Sequence, residues 1–281
     1  MRHRHFLFSV AITAIALSSC HTTTYYQVYE MKTPELTTKE SCLTYDNEDC
    51  SIMYNLWAPG GDASFLISNK TGKNLYVVLS KSFFIMNGVA NDYYTGSIYG
   101  KSVSSLVSSL LSESTSVSRI MSNDNRWFPL NFSRGVNMTA GLSVVRSVET
   151  KEQEIVCVPP FASKSIPGFN IYNDVYKVCD HPRRNYPKTS SNPIVYSESN
   201  TPIIFRNRIA YTFDEEAKDI KYLENKFWLS SIQNFKDKSA TRKETYEDCE
   251  SHRKNSYRSF TVSAPNKFYN TYKVNPDAKG F

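Results

Sequence analysis

The segment 25–94 constrains the fold more than any other part of the chain. It is a run of short strand signals separated by turn residues. Tyr25-Tyr26-Gln27-Val28-Tyr29 opens it. Cys42-Leu43-Thr44-Tyr45 and Ser51-Ile52-Met53-Tyr54-Asn55-Leu56-Trp57 flank a turn at Asp46-Asn47-Glu48-Asp49. Ile52, Tyr54 and Leu56 alternate with Met53, Asn55 and Trp57, the period-two pattern of a strand with one buried face. Pro59-Gly60-Gly61-Asp62 turns the chain into 63–69, and Lys70-Thr71-Gly72-Lys73 turns it into 75–79. Phe83-Phe84-Ile85-Met86 then stops at Asn87-Gly88, with Tyr93-Tyr94 beyond. Strands spaced about 8–12 residues apart with turn chemistry between them predict a mainly β chain, a sandwich or barrel. The content of 19 Tyr and 16 Phe points the same way, since aromatic residues favour strands.

The pattern breaks at 95–140, a Ser-rich insertion. Val103, Leu106, Val107, Leu110 and Leu111 recur at spacings that share one face of a helix. This predicts a partly helical insertion that lids one end of the sandwich. Strand signals resume at 143–148, 154–158 and 163–166, with a short aromatic run at 172–178. A Pro-containing loop follows over 180–202, then strands at 203–213 and 225–232. The domain is expected to span 25–235. The rest, 236–281, reads as a charged extension with one strand at 257–262 and a frayed end of about 15 residues.

The first residues, 1–19, read as an export signal peptide. Arg2 and Arg4 precede an apolar run over 6–17. That run falls short of the roughly 20 residues that cross a bilayer. Leu17-Ser18-Ser19-Cys20 resembles the lipobox of bacterial lipoproteins. The resemblance implies cleavage before Cys20, a diacylglyceryl group on its thiol, and a fatty acyl chain such as palmitate on the new amine. Residues 20–24 become a lipidated tether, and the partner is a lipid bilayer. Two or more acyl chains make a stable anchor. Loss of Arg2 and Arg4 lowers the formal charge from +6 to about +4, mixed in sign along the chain. No basic block interleaved with aromatics stands out, so nucleic acid is not an expected partner.

Further residues carry a wider resemblance. Ser68-Asn69-Lys70-Thr71, Ser80-Lys81-Ser82-Phe83-Phe84-Ile85-Met86-Asn87-Gly88 and Pro159-Pro160-Phe161-Ala162-Ser163-Lys164 resemble elements of uncharacterised lipoproteins of Bacteroides and relatives. The 25–29 and 205–213 stretches are also similar, so the likeness covers about 17–235. It implies a single elaborated immunoglobulin-like β-sandwich and brings no activity. In such lipoproteins acidic residues just after the acylated Cys accompany export to the cell surface. Here the first acid is Glu30, so an outer-membrane lipoprotein facing the periplasm is expected.

An exported compartment permits disulfides. Cys42 and Cys50 flank the 46–49 turn and suit a hairpin staple, and Cys157 with Cys179 is the next pairing. Cys249 is then left over, and connectivity stays open. Cys179, His181, Cys249 and His252 supply the ligand count of a tetrahedral zinc site, but Cys-x-His is not a usual zinc spacing. Trp57, Trp127 and Trp228 are candidates for a sugar-stacking platform. Gly96-Ser97-Ile98-Tyr99-Gly100-Lys101-Ser102 is one residue short of a phosphate loop. No Gly-x-Ser-x-Gly elbow occurs. The reading is therefore a non-catalytic envelope lipoprotein that needs no cofactor and works by binding or assembly with an envelope protein or glycan. A glycan- or surface-ligand-binding module is the alternative, and a periplasmic hydrolase stands behind both.

Overall fold

The computed structural model describes residues 22–39, 41–96, 98–101, 148–177, 186–249 and 252–274. The predicted helical stripe at 103–111, and most of the 95–140 insertion, lie outside these residues.

The chain forms two larger antiparallel sheets. The main one runs in the order β11 (Ile155–Val158), β6 (Leu75–Val78), β14 (Ile204–Thr212), β15 (Lys221–Lys236), β1 (Thr23–Lys32), β18 (Lys267–Val274). β7 (Phe83–Met86) pairs with β14, β8 (Val89–Asp92) with β7, and β13 (Ile194–Val195) with β15. The second sheet is β12 (Ser163–Ile166), β5 (Phe65–Asn69), β4 (Cys50–Tyr54), β3 (Cys42–Asp46), β2 (Thr37–Lys39). Two ribbons accompany them, β9 (Ile98–Lys101) with β10 (Val148–Lys151), and β16 (Thr241–Glu247) with β17 (Lys254–Phe260). This is the mainly β, sandwich-like architecture that the strand spacing predicts.

Alternation fixes the buried face of each strand. In β15, Leu223, Asn225, Phe227 and Leu229 point inward. A register shift between Glu30 and Met31 passes over Ser230, and Ile232 and Asn234 then take the inner face. Ser230 closes this bulge by donating its hydroxyl to the Glu30 carbonyl at 2.9 Å. In β1, Tyr25 stacks on Tyr272 at 5.3 Å and Tyr29 on Phe268 at 4.6 Å, each ring facing its register partner in β18.

The core lies where the two sheets meet. Tyr54 of β4 packs edge-on against Phe227 of β15 at 5.3 Å, and Phe227 stacks on Phe205 of β14 at 4.6 Å. All three are fully buried, and burial of one such side chain contributes about 1.5–3 kcal/mol. Two buried tyrosine hydroxyls in this core are paired with amide side chains. Tyr54 donates its hydroxyl to Asn225 Oδ1 at 2.9 Å, and Tyr93 donates to Asn207 Oδ1 at 2.8 Å. Asn207 and Asn225 face each other across β14 and β15. Burial pushes both tyrosine hydroxyls up, so they remain protonated donors.

Asn69 makes a second joint. Its Nδ2 donates to the carbonyls of Lys73, Val158 and Pro159 at 2.7, 3.0 and 3.1 Å. Its Oδ1 accepts from the Thr71 amide and hydroxyl at 2.9 and 2.8 Å. The Ser-Asn-Lys-Thr and Pro-Pro-x-x-Ser-Lys stretches thus meet in space as a structural clasp. Asn87-Gly88, with φ of 48° and 86°, forms the two-residue turn from β7 to β8, in the left-handed conformation that Asn and Gly tolerate best.

Three expectations are corrected. The main sheet does not stop at 235: β18 pairs along almost the whole of β1 and fully buries Phe268, so the chain up to Val274 is built in rather than frayed. The signal was an alternation at Phe268, Asn270 and Tyr272, in which a polar Asn interrupts the apolar face and Lys267 and Lys273 flank it. Cys42 and Cys50 are not joined. Leu43 faces Tyr54 and Asp46 faces Ser51, which sets the two cysteines at opposite ends of the β3–β4 hairpin. At about 3.3 Å per residue that offset is far beyond a disulfide's reach. The tether expected over 20–24 is shorter, because Thr23 and Thr24 already pair with Val274 and Lys273 in the main sheet. Amide side chains of that sheet also hold the aromatic run that begins at Tyr172. Within its described part, Asn270 holds the carbonyls of Tyr172 and Asp174 at 2.9 and 2.5 Å, and Gln27 holds that of Tyr176 at 2.9 Å.

The outer edge of β18 is covered by 58–60. Gly60 donates to the Tyr269 carbonyl at 2.9 Å, and Tyr269 donates to that of Ala58 at 3.3 Å. Gly61 follows at φ +77°, where a Cβ would lie 2.8 Å from Ile171 and 2.9 Å from Phe268. Only glycine lets the chain pass this close.

Candidate interaction surface

The β16–β17 ribbon is an arm that leaves the main sheet near the start of β1. Alternating Thr and Tyr among charged residues suit a solvated strand on both sides. Thr241 faces Phe260 and Glu247 faces Lys254 at the two ends of its ladder. Two bonds close its far end: the Asp248 amide donates to the Arg253 carbonyl and that of His252 to the Asp248 carbonyl, both at 2.9 Å.

The base of the arm is apolar. Phe260 packs against Tyr26, Trp57 and Tyr269 at 5.0, 5.2 and 4.7 Å. Beneath it the short helix α1 (Asp237–Ala240) carries Asp237, whose carboxylate meets Arg258 at 2.7 Å. Beyond this base, nearly every residue of the arm is exposed.

Register divides the arm into two faces. Arg242, Glu244 and Tyr246 share one face with Asn255, Tyr257 and Ser259. On it Tyr257 donates its hydroxyl to Glu244, Ser259 donates at 2.7 Å, and Arg242 Nε donates at 2.6 Å. These bonds, that of Tyr257 first, hold the Glu244 carboxyl down to about 2, and the carboxylate in turn pushes the Tyr257 hydroxyl up. Tyr246 and Tyr257 lie 5.9 Å apart and remain about half exposed, at 51% and 48%. The opposite face carries Lys243, Thr245 and Glu247 with Lys254, Ser256 and Arg258.

The residues singled out by sequence are scattered. Cys20, Trp127, Cys179 and His181 lie outside the described residues, so the anchor, one tryptophan, the Cys157 pairing and half of the zinc set find no description. Trp57 is half-buried in the aromatic base, its neighbours Phe260 and Tyr269 tilted 73° and 40° from it. Trp228 sits on the outer face of β15 beneath Lys32, whose ammonium is 5.6 Å from the ring. Tyr26 and Lys32 mark opposite ends of β1, about 20 Å apart at strand rise, so Trp57 and Trp228 do not make one platform. Cys50 is fully buried and burial pushes its thiol up to about 12; such a thiol is unreactive. Cys157 is half-buried on β11, and Cys249 is exposed at the tip of the arm. His252 is also at the tip, with Nδ1 3.2 Å from the Glu247 carboxylate. Among the described residues no group of three His, Cys, Asp or Glu side chains converges.

No sequence motif announced the arm. Its one legible signal was the 257–262 strand, observed as Lys254–Phe260; the partner β16 was hidden by its charge. Among the described residues no helix is long and apolar enough to cross a membrane. No family model matches the chain, and neither a curated protein nor a solved structure matches it.

Proposed function

We propose that this chain is a lipid-anchored envelope protein that works without catalysis, by assembly through its exposed arm. Cys20 carries the lipid, and the body stands in the periplasm on the inner face of the outer membrane. The observation that carries the reading is the closeness of the lipobox to the sheet: β1 starts at Thr23, three positions after Cys20, between β15 and β18. An acylated Cys20 has almost no linker, so it holds the main sheet, and the arm that leaves near Tyr26, at the membrane surface. The resemblance to Bacteroides-type lipoproteins and the late first acid, Glu30, support the same address.

Metabolic labelling with an alkynyl fatty acid tests the anchor. The full chain is expected to take up label and sediment with outer membranes, whereas Cys20→Ala is unlabelled and leaves the membrane fraction. An unlabelled wild-type chain would sink the reading. Protease added to intact cells is expected to spare the protein until the outer membrane is opened; cleavage without opening would move it to the cell surface.

A further inference from the structure

β16 and β17 pair only with each other among the described residues, so both outer edges of the arm are open. A lone hairpin is marginal in water, and an open edge is a template for another strand. We propose that β16 is a self-association edge whose occupant is a second copy of this chain. The two β16 strands lie antiparallel about a two-fold axis at Thr245 and form a four-stranded sheet between two arms. The proposal rests on the assembly part of the proposed function and does not depend on the anchor.

Backbone polarity selects the residues. The Asp248 amide bonds the Arg253 carbonyl at 2.9 Å, and the Thr261 amide bonds that of Ala240 at 2.8 Å. In an antiparallel ladder bonded and non-bonded pairs alternate, so Arg242, Glu244 and Tyr246 bond to β17. Lys243, Thr245 and Glu247 therefore turn their N–H and C=O groups outward, ready for a new strand.

Charge then selects the register. An axis at Lys243, Glu244 or Glu247 sets that charge against its own copy, and an axis at Tyr246 sets Glu244 against Asp248. An axis at Thr245 sets Lys243 against Glu247 and Arg242 against Asp248, each pair occurring twice. Like charges directly opposite destabilise a sheet and opposite charges stabilise it. No axis within β17 sets opposite charges against each other, and one at Ser256 opposes Lys254 to Arg258. Within a single arm Lys243 also faces Arg258, a like-charge pair that Glu247 of the second copy offsets on the same face.

The test is thiol crosslinking of the full chain in detergent micelles, in a Cys249→Ser background, with a short bis-maleimide. Thr245→Cys is expected to give a crosslinked dimer, and Ser256→Cys, on the outer edge of β17, to stay monomeric. Lys243→Glu is expected to weaken dimerisation at least about tenfold, although it removes the like-charge pair within the arm and so favours the hairpin itself. Lys243→Glu with Glu247→Lys restores the dimer. A chain that sediments as a monomer at every concentration, crosslinking through Ser256→Cys, or failure of the double reversal would overturn the proposal. A Cys20→Ser chain is expected to crosslink equally, which separates loss of the dimer from loss of the anchor.

Discussion

Phe227 and Tyr257 both sit in strands of this chain and both meet another aromatic ring, yet they do opposite jobs. Phe227 is fully buried between the sheets, against Phe205 and Tyr54. Tyr257 is half exposed on the arm and commits its hydroxyl to Glu244. The body is held by non-local burial and by amide side chains that satisfy buried backbone. The arm has no core of its own beyond Phe260 and is held by cross-strand pairs and local hydrogen bonds, each worth well under the burial of one core ring. What one region gains from exclusion of water, the other leaves open for a partner.

Truncation in the core tests this contrast hardest. Phe227→Ala is expected to lose about 3–5 kcal/mol of stability, measured as the urea midpoint of the full chain by near-UV circular dichroism. A loss no larger than that of an exposed arm substitution would mean the sheets do not share one core. Next in size is the clasp. Asn69→Ala removes a donor from three carbonyls and the acceptor of the Thr71 amide, although the Lys73 and Pro159 carbonyls keep the Thr71 hydroxyl and the Ala162 amide, both at 3.2 Å. A loss of about 2–3 kcal/mol is expected, with faster amide exchange at both 70–73 and 161–162. Exchange that quickens on one side only would show that the two turns are held independently.

The smallest effect belongs to the arm. Tyr257→Phe removes the first of the three donors to Glu244, so its carboxyl is expected to rise from about 2 toward the ordinary value of 4.5, read by carboxyl-carbon NMR. Because the folded value is depressed, the support this carboxylate gives the arm is complete above about pH 4.5. It is lost as pH falls from there through about 2. The urea midpoint of the body should stay where it is. A shift of that midpoint with Tyr257→Phe would show that arm and body unfold as one unit.

Much of the body was legible because its signals are local. The Ile52, Tyr54, Leu56 alternation marks a strand and its buried face without knowledge of any neighbour. Asn87-Gly88 specifies a two-residue turn through the backbone angles these residues tolerate. The Lys70–Lys73 turn was equally readable, although nothing local says that Asn69 beside it reaches across to Pro159. The arm was legible only in half. Its strands alternate charged and polar residues on both faces, and no apolar period marks a ribbon that has no buried side.

Neighbours along the chain were enough for the mainly β class, the position of most strands and turns, and a cysteine set just ahead of the first strand. Long-range pairing alone decided that β18 returns beside β1, that Asn69 joins two turns, that Cys42 and Cys50 stand apart, and that β16 pairs with β17 alone among the described residues. Those outcomes depend on contacts between residues as far apart as Thr23 and Val274. Strand partners are chosen by the register that buries the most apolar surface, and that choice is a property of the whole chain.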